Sequence, residues 1–198
     1  MLHRTDRPRD AGFTLIEVLL AVLILGVISL PLANAFITVI RNTDGTANRM
    51  ALSHDAQISS AYLSRDVAAV GLRGDSMSGY PFLASVDVGA PMNTCNDGTG
   101  ARLLLRLRSD DWDSAGVRQT VTVGYSLRAN GTDCELHRTR DPGGSDIVVA
   151  HHVDPATVQV ASTGSAAAPD QITLSFSVTA PGTDPYPIVL TGQRRQTS

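Results

Sequence analysis

The chain has 198 residues, a formal net charge of −3, 16 arginines with no lysine, and two cysteines. That length allows one anchor and one domain with a core of its own. No basic stripe with interleaved aromatics occurs, so nucleic acid is not expected as the main partner.

Residues 1–12 hold Arg4, Arg7 and Arg9 against Asp6 and Asp10, and an apolar run follows in which Glu17 is the only charge between Phe13 and Ile40. Residues 18–40 are uncharged. As a helix they reach roughly 35 Å at about 1.5 Å per residue, more than the ~30 Å hydrocarbon core of a bilayer. A carboxylate in such a run costs about 2.5 kcal/mol or more at mid-bilayer, so a partner for Glu17 is expected. The arginines before the run predict that the chain beyond it faces out of the cytoplasm.

The stretch G-F-T-L-I-E-V-L-L-A, from Gly12 to Ala21, resembles the leader-cleavage site of type IV pilins and of the pseudopilins of type II secretion. The resemblance implies a prepilin peptidase that cuts after Gly12, N-methylation of the new N-terminal residue Phe13, and a role for Glu17 in assembly. Glu17 would meet the N-terminal amine of a neighbouring subunit. Elementary electrostatics agrees, because an amine and a carboxylate that are each costly alone in a low dielectric recover much of that cost as a pair. The implied partners are the prepilin peptidase, other pilin or pseudopilin subunits, and the cytoplasmic membrane before assembly. The mature chain keeps 13 arginines against 17 acids, a formal charge of −4.

The same apolar run can be read as a secretory signal peptide with Ala33-Asn34-Ala35 as its cleavage site, or as a plain uncleaved anchor. A signal core has no use for Glu17.

Gly26 and Pro31 interrupt the run, and a kink is expected at the proline. Beyond residue 41, Ala47, Ala51, Ile58, Tyr62 and Ala69 recur at helical spacing with Met50, Ala61 and Leu72 beside them, which predicts an amphipathic stripe. Arg49, Asp55, Arg65 and Asp66 are then expected on the other side, with Gly71 and Gly74 ending the helix. The organisation expected is a leader at 1–12, a transmembrane or filament-core half-helix at 13–40, an amphipathic half at 41–72, and a β-rich head at 73–198.

Residues 75–100 are rich in Gly, Pro, Ser and Asn and read as a loop with one short strand at 82–88. Leu103, Leu105 and Leu107 alternate against Leu104, Arg106 and Arg108. Val117, Val121, Val123, Tyr125 and Leu127 share one face of a longer strand, and the Asn130-Gly131 turn makes 117–139 a hairpin. Residues 147–153 and 157–161 are shorter candidates split by Asp154-Pro155, a linker is expected at 162–169, and a last pair occupies 172–178 and 186–190. One helix followed by antiparallel strands is an α+β arrangement: a long spine helix, its first half transmembrane, packed on an antiparallel sheet. This is the form of a pilin head. A-Y-L-S-R-D-V-A-A-V at 61–70 and the V-G-Y-S-L and E-L-H-R-T pair resemble the J-type minor pseudopilins. The cysteine pair is a departure from that pattern.

In an oxidising space Cys95 and Cys134 can bond, closing a loop worth on the order of 4 kcal/mol in the chain-entropy model. The alternative is two buried thiols. Neither has a His or Cys at ligand spacing, so no metal is expected there. Asp110, Asp111 and Asp113 surround Trp112, the only tryptophan, without calcium-loop spacing. They read as a solvated loop, and Trp112 reads as a lid on the core edge. His151 and His152, adjacent on an expected strand, point apart. No nucleophile stands at a recognisable spacing from a base, so neither catalysis nor a cofactor is expected. The function implied is a structural subunit, minor pilin or pseudopilin. The alternative is an anchored or secreted head that binds a surface, a secreted substrate or DNA.

Overall fold

The computed structural model describes residues 12–74, 82–181 and 183–195. Most of the expected leader, including its three arginines, and part of the loop after the helix lie outside the described residues.

Among the described residues one helix, α1, runs Leu15–Ala68 and is continuous through Gly26 and Pro31. The chain divides at Gly45 into two compact units, Met1–Gly45 and Thr46–Ser198. In the first unit the helix is apolar all round, with a mean hydropathy of 2.7 over its best window and none of that window buried. Its few hydroxyls are satisfied within the helix: Ser29, Thr38 and Thr43 donate to the carbonyls of Leu25, Asn34 and Val39 at 2.7–2.9 Å. Folding back onto the i−4 carbonyl lets a polar side chain sit in an apolar setting without an orphaned donor.

Among the described residues the second unit contains the rest of α1 and eight strands: β1 Val86–Val88, β2 Arg102–Trp112, β3 Arg118–Asn130, β4 Asp133–Asp141, β5 Ser145–Ala150, β6 Val153–Gly164, β7 Pro169–Val178 and β8 Tyr186–Gln193. The pairings between these strands are all antiparallel. The strands form two sheets, β1-β2-β3-β4-β5 and β6-β7-β8, where one was expected. The break falls at His151-His152, a bend between β5 and β6 and not the strand position assigned from sequence. There His152 takes the left-handed φ of 53° and its carbonyl accepts the N–H of Thr179 at 3.0 Å.

The β3–β4 hairpin has the expected turn, with Asn130 opposite Asp133 and Gly131 at φ 62°. Val121, Val123, Tyr125 and Leu127 share its buried face, whereas Val117 lies outside the strand and is exposed. In β2 a bulge between Leu103 and Leu105 shifts the phase. Arg102 and Leu104 are buried ahead of it, Leu105 and Leu107 after it, and Leu103 leaves the expected face. The expected break at Asp154-Pro155 is a local irregularity within β6, and the expected linker shortens to a turn between β6 and β7.

The stripe that α1 lays on the sheets is not the one its alanines suggest. Leu52, Asp55, Ser59, Leu63, Asp66 and Val67 are buried, Ile58 and Tyr62 of the expected stripe are half-buried against the core, and Ala47, Met50, Ala51, Ala61 and Ala69 are exposed. Asp55 and Asp66, expected outside, lie within this face because the sheets supply partners for them. Ser59 donates to the carbonyl of Val149 at 2.6 Å. The Asp55 carboxylate accepts the backbone N–H of His151 at 2.9 Å, with the His151 ring at 3.0 Å. On β8, Gly192 is where helix and strand come closest: a Cβ there would stand 2.6 Å from Cβ of Val67 and 3.1 Å from the carbonyl oxygen of Leu63. Burying Leu52, Leu63 and Val67 contributes about 1.5–3 kcal/mol each. The architecture is α+β, a long N-terminal apolar helix with antiparallel sheets, consistent with a pilin-like fold.

Candidate functional site

The first turn of α1 is built by residues 14–18. The carbonyl of Thr14 accepts the N–H groups of Glu17 at 3.0 Å and Val18 at 3.3 Å. The Glu17 carboxylate folds back and accepts both the backbone N–H and the hydroxyl of Thr14 at 3.2 Å. Thr14 is therefore the N-cap and Glu17 the third helical residue, with the glutamate closing one half of a capping box. A negative group in the first turn also opposes the positive end of the helix dipole. The T-L-I-E spacing carries this signal in the sequence.

Gly12 and Phe13 precede the cap. Phe13 is 83% exposed. A Cβ on Gly12 would meet nothing within 4 Å, and no left-handed φ is found there, so the fold makes no demand for glycine at this position.

Within the head, Cys95 and Cys134 form a disulfide with Cα atoms 5.5 Å apart, and Cys134 is buried. Asp66 of α1 takes two hydrogen bonds from the guanidinium of Arg138, from Nε and Nη2, each 2.6 Å, and a third of 2.6 Å from the Tyr125 hydroxyl. Arg138 also lies over the Tyr62 ring. Burial first, then the Asp66 charge beside it, pushes the Tyr125 hydroxyl well above the ordinary tyrosine range. The Asp66 hydrogen bonds raise the Arg138 pKa against the opposing effect of burial. This cluster ties helix to sheet.

The three aspartates around Trp112 do not converge. Asp110 Oδ2 accepts from Arg118 Nη2 at 2.9 Å and from the backbone N–H of Arg73 at 2.8 Å, and Oδ1 lies in ion-pair distance of Arg118 Nε. Asp111 stands 3.5 Å from Arg140, and Asp113 accepts the N–H groups of Ala115 and Val117 at 2.9 and 2.8 Å. Among the described residues no group of three or more metal-ligating side chains is assembled. Trp112 is 59% exposed and covers no core edge. His151 and His152 pair separately, with Asp55 and with Asp133 at 3.2 Å.

Residues 7–33 match the family model described as the prokaryotic N-terminal methylation motif. That match, on the segment holding the glycine, the phenylalanine and the capped glutamate, indicates the type IV pilin and pseudopilin family. No curated protein and no solved structure is matched. The motif points to a processed structural subunit and implies processing by prepilin peptidase and assembly with other pilins. The apolar N-terminal helix is consistent with membrane anchoring.

Proposed function

We propose that prepilin peptidase cuts this chain after Gly12, that Phe13 becomes the methylated N-terminus, and that the mature protein is a minor pilin or pseudopilin packed by α1 into a type IV pilus or a type II secretion pseudopilus. Before assembly it is a single-pass protein of the cytoplasmic membrane with its head outside. The observation that carries this reading is the pairing of an uncovered apolar helix with one carboxylate five residues from the expected cut. The apolar surface has neighbours to bury it only in lipid or among other helices. The Glu17 carboxylate is held by Thr14 in the single chain, so an incoming amine from the next subunit exchanges one set of hydrogen bonds for an ion pair. A misplaced axial register leaves that amine unpaired, which makes Glu17 a register device more than a source of affinity. The indifference of the fold to a side chain at Gly12 favours a demand made by a processing enzyme.

The mass of the mature N-terminus tests the cleavage. A chain starting at methylated Phe13 supports it, and a start at Phe36 or an intact Met1 overturns it. Glu17→Ala should be cleaved and folded normally yet enter filaments poorly, and normal incorporation would remove the proposed role of the carboxylate.

The exposure of Trp112 and Val117 together at the β2–β3 tip favours a second reading, in which the anchored head recognises a surface or a secreted substrate. Substituting both with serine separates the two, since a binding module loses its target and a filament subunit still assembles.

A further inference from the structure

Arg102 is 3% exposed, yet among the described residues no carboxylate pairs with it. Its Nη1 donates to the carbonyl oxygens of Pro155 at 3.0 Å and Thr94 at 3.4 Å, and its Nε has no hydrogen-bond partner. Burial lowers its pKa, and no opposing charge offsets that shift. Among the described residues the other buried charged side chains have partners: Arg138 and Asp66 bind each other, and Asp55 accepts the backbone N–H of His151. A buried cation without a counter-charge is costly, and removing solvent from a guanidinium is normally compensated by an anion or a full set of acceptors.

Arg102 lines a cavity of about 350 Å³ between the chain leaving β1 and the strand β6. Its other walls are mainly apolar, from Val88, Pro91, Leu104, Val158 and Val160. The walls are fixed on both sides. Gly89 donates its N–H to the carbonyl of Leu104 at 2.9 Å and approaches β2 so closely that a Cβ would fall on the Leu103 carbonyl oxygen. The Cys95–Cys134 disulfide holds the segment whose Thr94 carbonyl Arg102 engages. The volume falls at the small end of the range that small-molecule sites occupy, and a half-open, largely apolar cleft lined by one buried cation suits an apolar body carrying one negative group. A planar carboxylate matches the fork of a guanidinium through two parallel hydrogen bonds.

We propose that this cavity binds a carboxylate attached to a small aliphatic body, with Arg102 taking the carboxylate and the valines of β1 and β6 taking the hydrocarbon. Two sources share that chemistry, a free short-chain acid and the C-terminus of a peptide ending in aliphatic residues. The cavity lies in the head and the site is independent of how the N-terminus is processed.

The test uses the full chain in a non-ionic detergent, with arginine nitrogens labelled. Pentanoate, the peptide N-acetyl-Ala-Val-Val as free acid, and the same peptide as C-terminal amide are titrated separately, with affinities from calorimetry. The expected result is a saturable shift of the Arg102 Nε–H resonance with at least one acid, binding at least tenfold weaker for the amide, and loss of binding in Arg102→Gln. Val158→Phe keeps the arginine and fills the chamber. It should weaken binding at least tenfold with the melting temperature preserved, and it carries the test if Arg102→Gln does not fold. Binding of pentanoate assigns a free-acid site, and binding of the peptide acid alone assigns a peptide C-terminus. No saturable response to either acid, equal affinity for the amide, or undiminished binding in Val158→Phe overturns the proposal.

Discussion

Asp66 on the helix and Arg138 on β4 meet through two hydrogen bonds of 2.6 Å across 72 residues of sequence, both side chains nearly buried. Truncating one partner leaves the other charged, desolvated and alone. Arg138→Met or Asp66→Ala should therefore cost about 3–5 kcal/mol, whereas a double substitution to apolar residues of similar volume should recover most of that loss. Urea unfolding of the two singles and the double forms the cycle. Additive losses would mean that the pair has no coupling.

Gly192 tests how closely helix and sheet are fitted. Gly192→Ala places its methyl 2.6 Å from Cβ and 2.7 Å from Cγ2 of Val67, and should destabilise by about 1–3 kcal/mol through overpacking. Combining it with Val67→Gly removes both contacting atoms, Cβ and Cγ2, so the double should be more stable than the sum of the singles implies, measured by thermal melting.

Loss of the Cys95–Cys134 disulfide, by Cys95→Ser with Cys134→Ser, frees a loop of 39 residues in the unfolded chain. The expected destabilisation is on the order of 4 kcal/mol. The loss should appear equally when the wild type is melted with a reductant, and a variant that melts with the wild type would contradict it.

Asp146 gives the pH prediction. The hydrogen bond from His137 first, with Arg128 adding to it and burial opposing, holds the Asp146 carboxyl below the usual aspartate range. A lowered folded pKa adds stability that is complete above the unfolded value of about 3.9 and is lost as pH falls through the folded value. Stability curves of wild type and Asp146→Asn should therefore separate above about pH 4 and converge as acid protonates the wild-type group. A constant offset at all pH would disprove the linkage.

At the helix start, Thr14→Ala removes the hydroxyl that Glu17 binds and the side chain at the N-cap. Faster amide exchange over residues 15–18, equivalent to about 0.5–2 kcal/mol, is expected in micelles. The motif would then be partly a folding signal for the first turn.

The apolar helix, the β3–β4 hairpin and the last strand pair were legible because each depends on local alternation or on a turn residue such as Gly131. The phase of the helix stripe was not. Asp55 and Asp66 read as outward-facing, and the groups that make them tolerable inside lie 96 and 72 residues away, on His151 and Arg138. Nothing near them in the chain announces those partners. The Leu103 face was lost to a bulge, which moves one residue and so reverses every inward position before it. The separation into two sheets turns on a bend at two histidines with no glycine or proline to mark it. Of the candidate site, the glycine, aromatic and acid were plain from their offsets, but the self-capping of Glu17 by Thr14 required reading the acid as a helix residue as well as a charge.

Gly12 stands in open space, with no neighbour to object to a side chain. Substitutions at this position should pass any screen that reports folding or expression and fail one that requires maturation. A mutational map that diverges between those two assays at a single residue would locate the scissile boundary without a mass spectrometer.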